Sequence, residues 1–182
     1  MKKQVLHTVQ MAMFAALSIV LLYAVRMPLI PAAPFLEYDM ADVPVLLGTL
    51  MLGSGSGLLI LLVACLIQAI TVSASSGWIG FMMHFIASGV LIITADLIYK
   101  KLGKNTKSLL IGLVCATAAM TVVMIPLNLV FTGIFTGAGV KAVVSMLIPA
   151  IIPFNLLKAG INCAITFIIF LPLKKILKKF SV

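Results

Sequence analysis

Three clusters of lysine divide this chain, and nearly everything between them is apolar. Lys2 and Lys3 form the first, Lys100, Lys101, Lys104 and Lys107 the second, and Lys174, Lys175, Lys178 and Lys179 the third. A helix needs about 20 apolar residues to cross a bilayer, and lysine-rich loops stay on the cytoplasmic side. Three clusters on one side require an even number of crossings between each and the next. Hydropathy places spans at about 5–26, 43–52, 58–72, 78–99, 108–132 and 150–172. That makes four crossings before the central cluster and two after it. Fusing the short second span with the third would put the central lysines outside, so "GSGSG" at 53–57 reads as a tight cytoplasmic turn between two helices.

The expected fold is therefore all-α: an integral membrane bundle of six transmembrane helices, one domain over residues 1–182, with both termini cytoplasmic. Composition agrees. The chain is 63% hydrophobic and 9% charged, whereas a soluble domain is about a quarter charged. The net charge of +9 is topology signal with some attraction to anionic lipid, and it calls for no nucleic acid. The apolar run from about Val9 to Val25 exceeds the roughly 7–15 residues of a signal-peptide core, so it reads as a retained span. Cys65, Cys115 and Cys163 show no paired spacing and read as small buried hydrophobes. Asp42, followed by Val43 and Pro44, suits a helix start with Asp as cap.

Polar residues inside such spans cost free energy unless they face protein, water or a ligand. In "PFNLLKAGIN" (153–162), Asn155, Lys158 and Asn162 fall at i, i+3 and i+7, one stripe of a helix. Span 6 runs inward, which sets Asn155 and Lys158 near its outer end. Asn128 sits near the outer end of span 5. Glu37, Asp39 and Asp42, three of four acidic residues in the chain, lie in the first outside loop. These groups share one depth and outline an outward-facing pocket. Each also has a plainer reading. Lys158 alone can snorkel to the interface, and Asn128 can satisfy backbone groups freed by Pro126.

His84 in span 4 reads as a buried neutral histidine with one hydrogen-bond partner, Asp96 as a partner of Lys100 at i+4, and Trp78 as an interfacial belt residue. Ala12 and Ala16, with Ala15 beside them, form a small-xxx-small pair that suits close approach of another membrane subunit. No P-loop, HExxH or nucleophile–base–orienter set occurs. His84 and Asp96 are twelve residues apart on one helix, about 18 Å along its axis, too far to act as a direct pair. The chain reads as a binding or transport protein, not an enzyme.

Six spans, "FLEYDMADVPVLLG" in the first outside loop, "IPLN" in span 5 and "IPFNLLK" in span 6 resemble the substrate-binding S components of energy-coupling factor (ECF) transporters, most closely the riboflavin-specific type. The resemblance covers most of the chain. It implies a plasma-membrane subunit that captures riboflavin outside the cell for ATP-driven uptake, with riboflavin as transported ligand and no cofactor or metal. It further implies that Leu36, Tyr38 and Asp39 line the loop side of the site, that Gly80 and His84 face it from span 4, and that Asn128, Asn155 and Lys158 supply the main polar contacts. Ala12 and Ala16 match the family's docking motif for a transmembrane coupling subunit, which works with two ATPase subunits. The chain carries His84, Ala64 and Gly53-Ser54 where family members often have Asn, Lys and Gly-Pro. Lys158 equally suits a carboxylate-bearing vitamin of the folate, pantothenate or biotin class, with Glu37 or Asp39 as its counter-ion. An independent ion-coupled carrier is the remaining alternative, with Asp96 its one span carboxylate for cation coupling.

Overall fold

The computed structural model describes residues 2–31, 33–137 and 139–180; the side chains of Lys2, Leu177, Lys178, Lys179 and Phe180 lie outside what it describes. Helix α1 (Lys2–Ala24) leads into a small antiparallel hairpin of β1 (Arg26–Pro28) and β2 (Glu37–Asp39), with Arg26 opposite Asp39 and Pro28 opposite Glu37. Helices α2 (Asp42–Leu52), α3 (Ser54–Ile70) and α4 (Gly77–Lys101) follow. Helix α5 (Thr106–Leu127) continues through a π-helical stretch, Asn128–Thr132, into α6 (Gly133–Thr136). Helix α7 (Gly139–Met146) likewise passes through a second π stretch, Leu147–Ile151, into α8 (Ile152–Phe180). The result is six antiparallel rods.

Four of these rods are long and apolar enough to cross a membrane: Lys3–Ala24, Gly77–Lys101, Thr106–Thr136 and Gly139–Ile176. Helix α3 has 17 residues, and α2 only 11. At 1.5 Å per residue α2 is about 16 Å long, roughly half the hydrocarbon thickness. It sits in the middle of the bundle, with every residue from Asp42 to Thr49 buried.

Several elements differ from expectation. The sixth rod starts at Gly139, well before 150, and Lys141 lies inside it. Val140, Val143 and Val144 have helical spacing there, and Val143 is buried against the bundle, so the glycine-rich segment coils. The glycine-serine run is not a five-residue turn. Gly53 alone turns the chain, at φ 96°, and Ser54 to Gly57 already belong to α3. That φ is open to glycine at no steric cost. Asp42 does not cap α2: Ala41 is the cap residue, and no side chain bonds there. The Asp42 carboxylate turns instead to His84 on α4. Cys65 and Cys163 are buried, but Cys115 is exposed on the outer surface of a bundle whose natural surroundings are apolar.

At the lysine-rich end the connections are short and capped. Asn105 accepts from the Ser108 backbone N–H, while Ser108 Oγ accepts from the Asn105 backbone N–H, a capping box that starts α5. Asp96 accepts from the Ser54 backbone N–H at the start of α3, where a carboxylate favours the helix dipole. It also pairs with Lys100 at 2.6 Å, the expected i+4 contact.

Candidate functional site

The opposite end of the bundle holds a cavity of about 380 Å³, within the roughly 300–1,000 Å³ typical of small-molecule sites. Both long π stretches flank it. Proline has no N–H and its ring clashes with the carbonyl four residues back. Pro126 and Pro149, together with Pro153, stand at or beside these stretches, where the wider π turn relieves that clash. Single π turns recur at functional sites. Each "IP-x-N" segment thereby delivers an asparagine, Asn128 or Asn155, to the cavity wall.

Their hydrogen bonds are unequal. Asn128 Nδ2 donates to the Met124 carbonyl at 2.7 Å, and its Oδ1 accepts from Thr132 Oγ1 at 2.8 Å. The Asn128 amide therefore bonds the Met124 carbonyl, not that of Val122, which Pro126 leaves without its helical donor, and it has one N–H to spare. Asn155 Nδ2 donates to the Ile151 carbonyl at 2.8 Å. Its Oδ1 is buried without a partner. A buried orphan acceptor costs about 1–3 kcal/mol, so Asn155 holds an unmet demand for a donor.

Lys158 does not snorkel. It is 8% exposed and donates to Asp39 Oδ2 at 2.7 Å. Asn162, one turn further along α8, donates through Nδ2 to the Asp39 carbonyl and accepts from Tyr38 Oη at 2.9 Å. The polar stripe of α8 therefore divides: Asn155 and Lys158 line the cavity, and Asn162 clamps the hairpin behind it. Glu37 pairs with Arg26, which also donates to the Val72 carbonyl at 2.6 Å and so ties the hairpin to the end of α3. All four acidic side chains thus have distinct basic partners: Arg26, Lys158, His84 and Lys100.

His84 has two partners where one is expected. Nδ1 lies 2.5 Å from Gln68 Oε1 and Nε2 lies 3.3 Å from Asp42 Oδ1. Gly80 and His84 both line the cavity from α4, as do Leu36 and Asp39 from the loop. Tyr38 does not. Side chains alternate along a strand, so Glu37 and Asp39 face the cavity while Tyr38 points away, 5% exposed, into the cluster with Phe154 and Ile151. Burial, with Asp39 adjacent, holds its phenol above the usual ionisation range, so it donates to Asn162 as a neutral group. The apolar walls come from Leu36, Ile79, Met83, Met120, Met124 and Phe154, and Phe35 and Phe135 stand among the loop residues.

Two wall residues went unnoticed in the sequence. Arg26 is the sole arginine of the chain and sits among the acidic residues, away from the lysine clusters, which is a signal in itself. Gln68 is an amide inside an apolar run. On α1, Ala12 and Ala16 are exposed beside Val9, Met13 and Val20, whereas Ala15 turns inward. Trp78 is 62% exposed and meets Phe131 edge to face.

An all-α bundle with four fully membrane-length rods and a polar-studded cavity at one end is the form of a membrane solute-binding subunit. Comparison with known proteins makes this specific. Residues 7–170 match the family model described as the ECF transporter substrate-specific component, and the chain belongs to that family. It is 32% identical over 176 residues to the riboflavin transporter RibU of Streptococcus thermophilus, covering 92% of this chain and 82% of that protein. It is 33% identical over 167 residues to RibU of Staphylococcus aureus, covering 88% of this chain and 86% of that one. A solved S component of a bacterial ECF transporter superposes with a TM-score of 0.84 at 31% identity, over 96% of this chain and 99% of the other. The chain is a multi-pass protein of the plasma membrane, a binding component of a transporter.

Proposed function

We propose that this chain captures riboflavin in the cavity between the hairpin, α4, α5 and α8, from outside the cell, for uptake by an ATP-driven ECF complex. The whole chain acts as one domain, with both termini and the lysine clusters cytoplasmic. The orphan carbonyl of Asn155 carries the reading. It is a buried acceptor beside a lysine and a second asparagine, between apolar walls, in a chain similar to proteins named riboflavin transporters. An isoalloxazine ring offers an imide N–H to such an acceptor and a flat apolar body to methionine and phenylalanine walls. Lys158 and the free N–H of Asn128 suit the carbonyls and ribityl hydroxyls as donors.

The Asp39–Lys158 pair favours an uncharged ligand. With its charge already matched at 2.7 Å, Lys158 has little left for the carboxylate of folate, pantothenate or biotin. The subunit performs no covalent chemistry. Energy comes from two ATPase subunits through a membrane coupling subunit, which docks on the exposed Ala12/Ala16 face of α1.

Titration of ligand-stripped protein with riboflavin, followed by flavin fluorescence, tests this. Saturable quenching is expected, weakened at least tenfold (about 1.4 kcal/mol) by Asn155→Ala. Absence of quenching by folded protein refutes the substrate. Quenching unchanged by Asn155→Ala or Asn128→Ala refutes the site.

A further inference from the structure

A second cavity, of about 650 Å³, lies at the lysine-rich end. It is separate from the first in both lining and depth. Gln10 of α1, the last turn of α2, the ends of α4 and α8, and the loop after α4 enclose it. Lys100, Lys104 and Lys174 line it, against one carboxylate, Asp96. Asp96 is 1% exposed and is matched by Lys100 at 2.6 Å. Two positive charges are left over.

Two of these lysines, Lys100 and Lys174, are held in place. Lys174 Nζ donates to Tyr99 Oη at 2.7 Å and to the Lys104 carbonyl at 2.5 Å, and lies 5.2 Å from the centre of the Tyr99 ring. Lys104 takes a left-handed backbone, φ 55°, which aims that carbonyl at α8. Lys100 Nζ would stand 3.6 Å from a Cβ at Gly53, so its ammonium overlies the α2–α3 turn. The rest of the wall is apolar, with Leu50, Met51, Leu52 and Phe170. Exposed Val9 and Met13 run from beside Gln10 along α1 toward the bundle's middle.

We infer that this cavity is a binding site for the headgroup of an anionic phospholipid, with the phosphate held by Lys100, Lys104 and Lys174 and the acyl chains lying along α1 while its Ala12/Ala16 face is not docked on the coupling subunit. Three observations meet in that ligand: an excess of ammonium charge around one cavity, an apolar floor beneath it, and an exposed apolar track at the depth of the lipid tails. A free phosphate uses only the first. Each lysine near an anionic membrane surface is worth about fivefold in affinity.

The test is independent of riboflavin. Full-length protein in a neutral detergent is delipidated and mixed with phosphatidylglycerol, phosphatidylcholine or inorganic phosphate. Retained lipid is read by native mass spectrometry and the unfolding temperature by circular dichroism. Phosphatidylglycerol is expected to be retained and to raise the unfolding temperature, phosphatidylcholine and phosphate to do neither. Lys104→Gln should weaken retention about fivefold and Lys104→Gln/Lys174→Gln about 25-fold. If the double variant folds poorly, the single variant alone decides, since the Lys104 backbone contact survives the change. Equal retention of the two lipids, or undiminished retention by Lys104→Gln, overturns the inference. Stabilisation by inorganic phosphate alone assigns the lysines to a soluble anion and overturns the lipid. Displacement of bound lipid only by a coupling-subunit peptide, with no selectivity between lipids, reassigns the cavity to a protein partner.

Discussion

Replacing Asp39 with Asn leaves Lys158 buried without its counter-ion. The two side chains meet at 2.7 Å, with residues 4% and 8% exposed. Removing one member of a buried pair costs about 3–5 kcal/mol, whereas removing both charges is often close to neutral. Asparagine keeps the other contact of Asp39, an oxygen accepting from the Ala41 N–H at 3.1 Å, and the backbone bond to Asn162 is untouched. The loss therefore reports the ion pair rather than the loop. For a chain of this size 1 kcal/mol moves the unfolding midpoint by about 2–4 °C, so Asp39→Asn is expected to fall by roughly 6–20 °C. Asp39→Asn/Lys158→Met should recover most of that loss. Thermal unfolding of the four proteins in one detergent, followed at 222 nm, gives the full cycle. An Asp39→Asn midpoint within about 4 °C of the parent, or losses that simply add in the double variant, would refute the pairing as the anchor of the hairpin.

Asn162→Leu removes two hydrogen bonds to the hairpin and should cost about 2–3 kcal/mol, seen as a lower midpoint in the same assay. Gly57→Ala places a Cβ 3.2 Å from the Thr49 backbone and 1.9 Å from its hydroxyl; overpacking there should cost about 1–3 kcal/mol, with the α2–α3 pair loosened in hydrogen exchange. His84→Ala leaves Asp42 Oδ1 without its side-chain partner and should cost about 1–3 kcal/mol, seen as a lower midpoint in the same assay, and adding Asp42→Asn should restore part of it. Arg26→Gln unties the hairpin from the Val72 carbonyl. The ion pair is partly exposed, so stability should change by under about 1 kcal/mol, while riboflavin dissociation, measured by stopped flow, should quicken severalfold.

What the sequence discloses depends on the range of the interaction. The six rods follow from hydropathy and lysine parity, and the Asp96–Lys100 pair follows from helical spacing. Lys158 and Asp39 are 119 residues apart, and no local rule chooses between Glu37 and Asp39 as the counter-ion. The choice is made in the folded hairpin: Arg26 stands opposite Asp39, but its guanidinium reaches the diagonal Glu37 and leaves Asp39 for Lys158. Strand alternation explains Tyr38: family likeness groups it with Leu36 and Asp39, but it faces the other way. The orphaned oxygen of Asn155 is visible only once its amide nitrogen is seen to be spent on Ile151. The early start of the sixth rod was masked by its glycines, since a hydropathy window weighs composition and misses the valine face of α7.

The shortness of α2 bears on how the protein is made. Eleven residues are too few for the insertion machinery to retain as a membrane segment, since about 17 are the minimum for a spanning helix. During synthesis the second crossing exists only as half of a helical pair folded at Gly53, or not at all. Were α3 to enter without it, α4 would emerge with Lys100, Lys101, Lys104 and Lys107 on the far side of the bilayer, an orientation that charge opposes. On the proposed orientation, with the lysine clusters cytoplasmic, the central lysines act as a placeholder, holding α3 and α4 in the correct sense until α1, α4 and α8 close around α2.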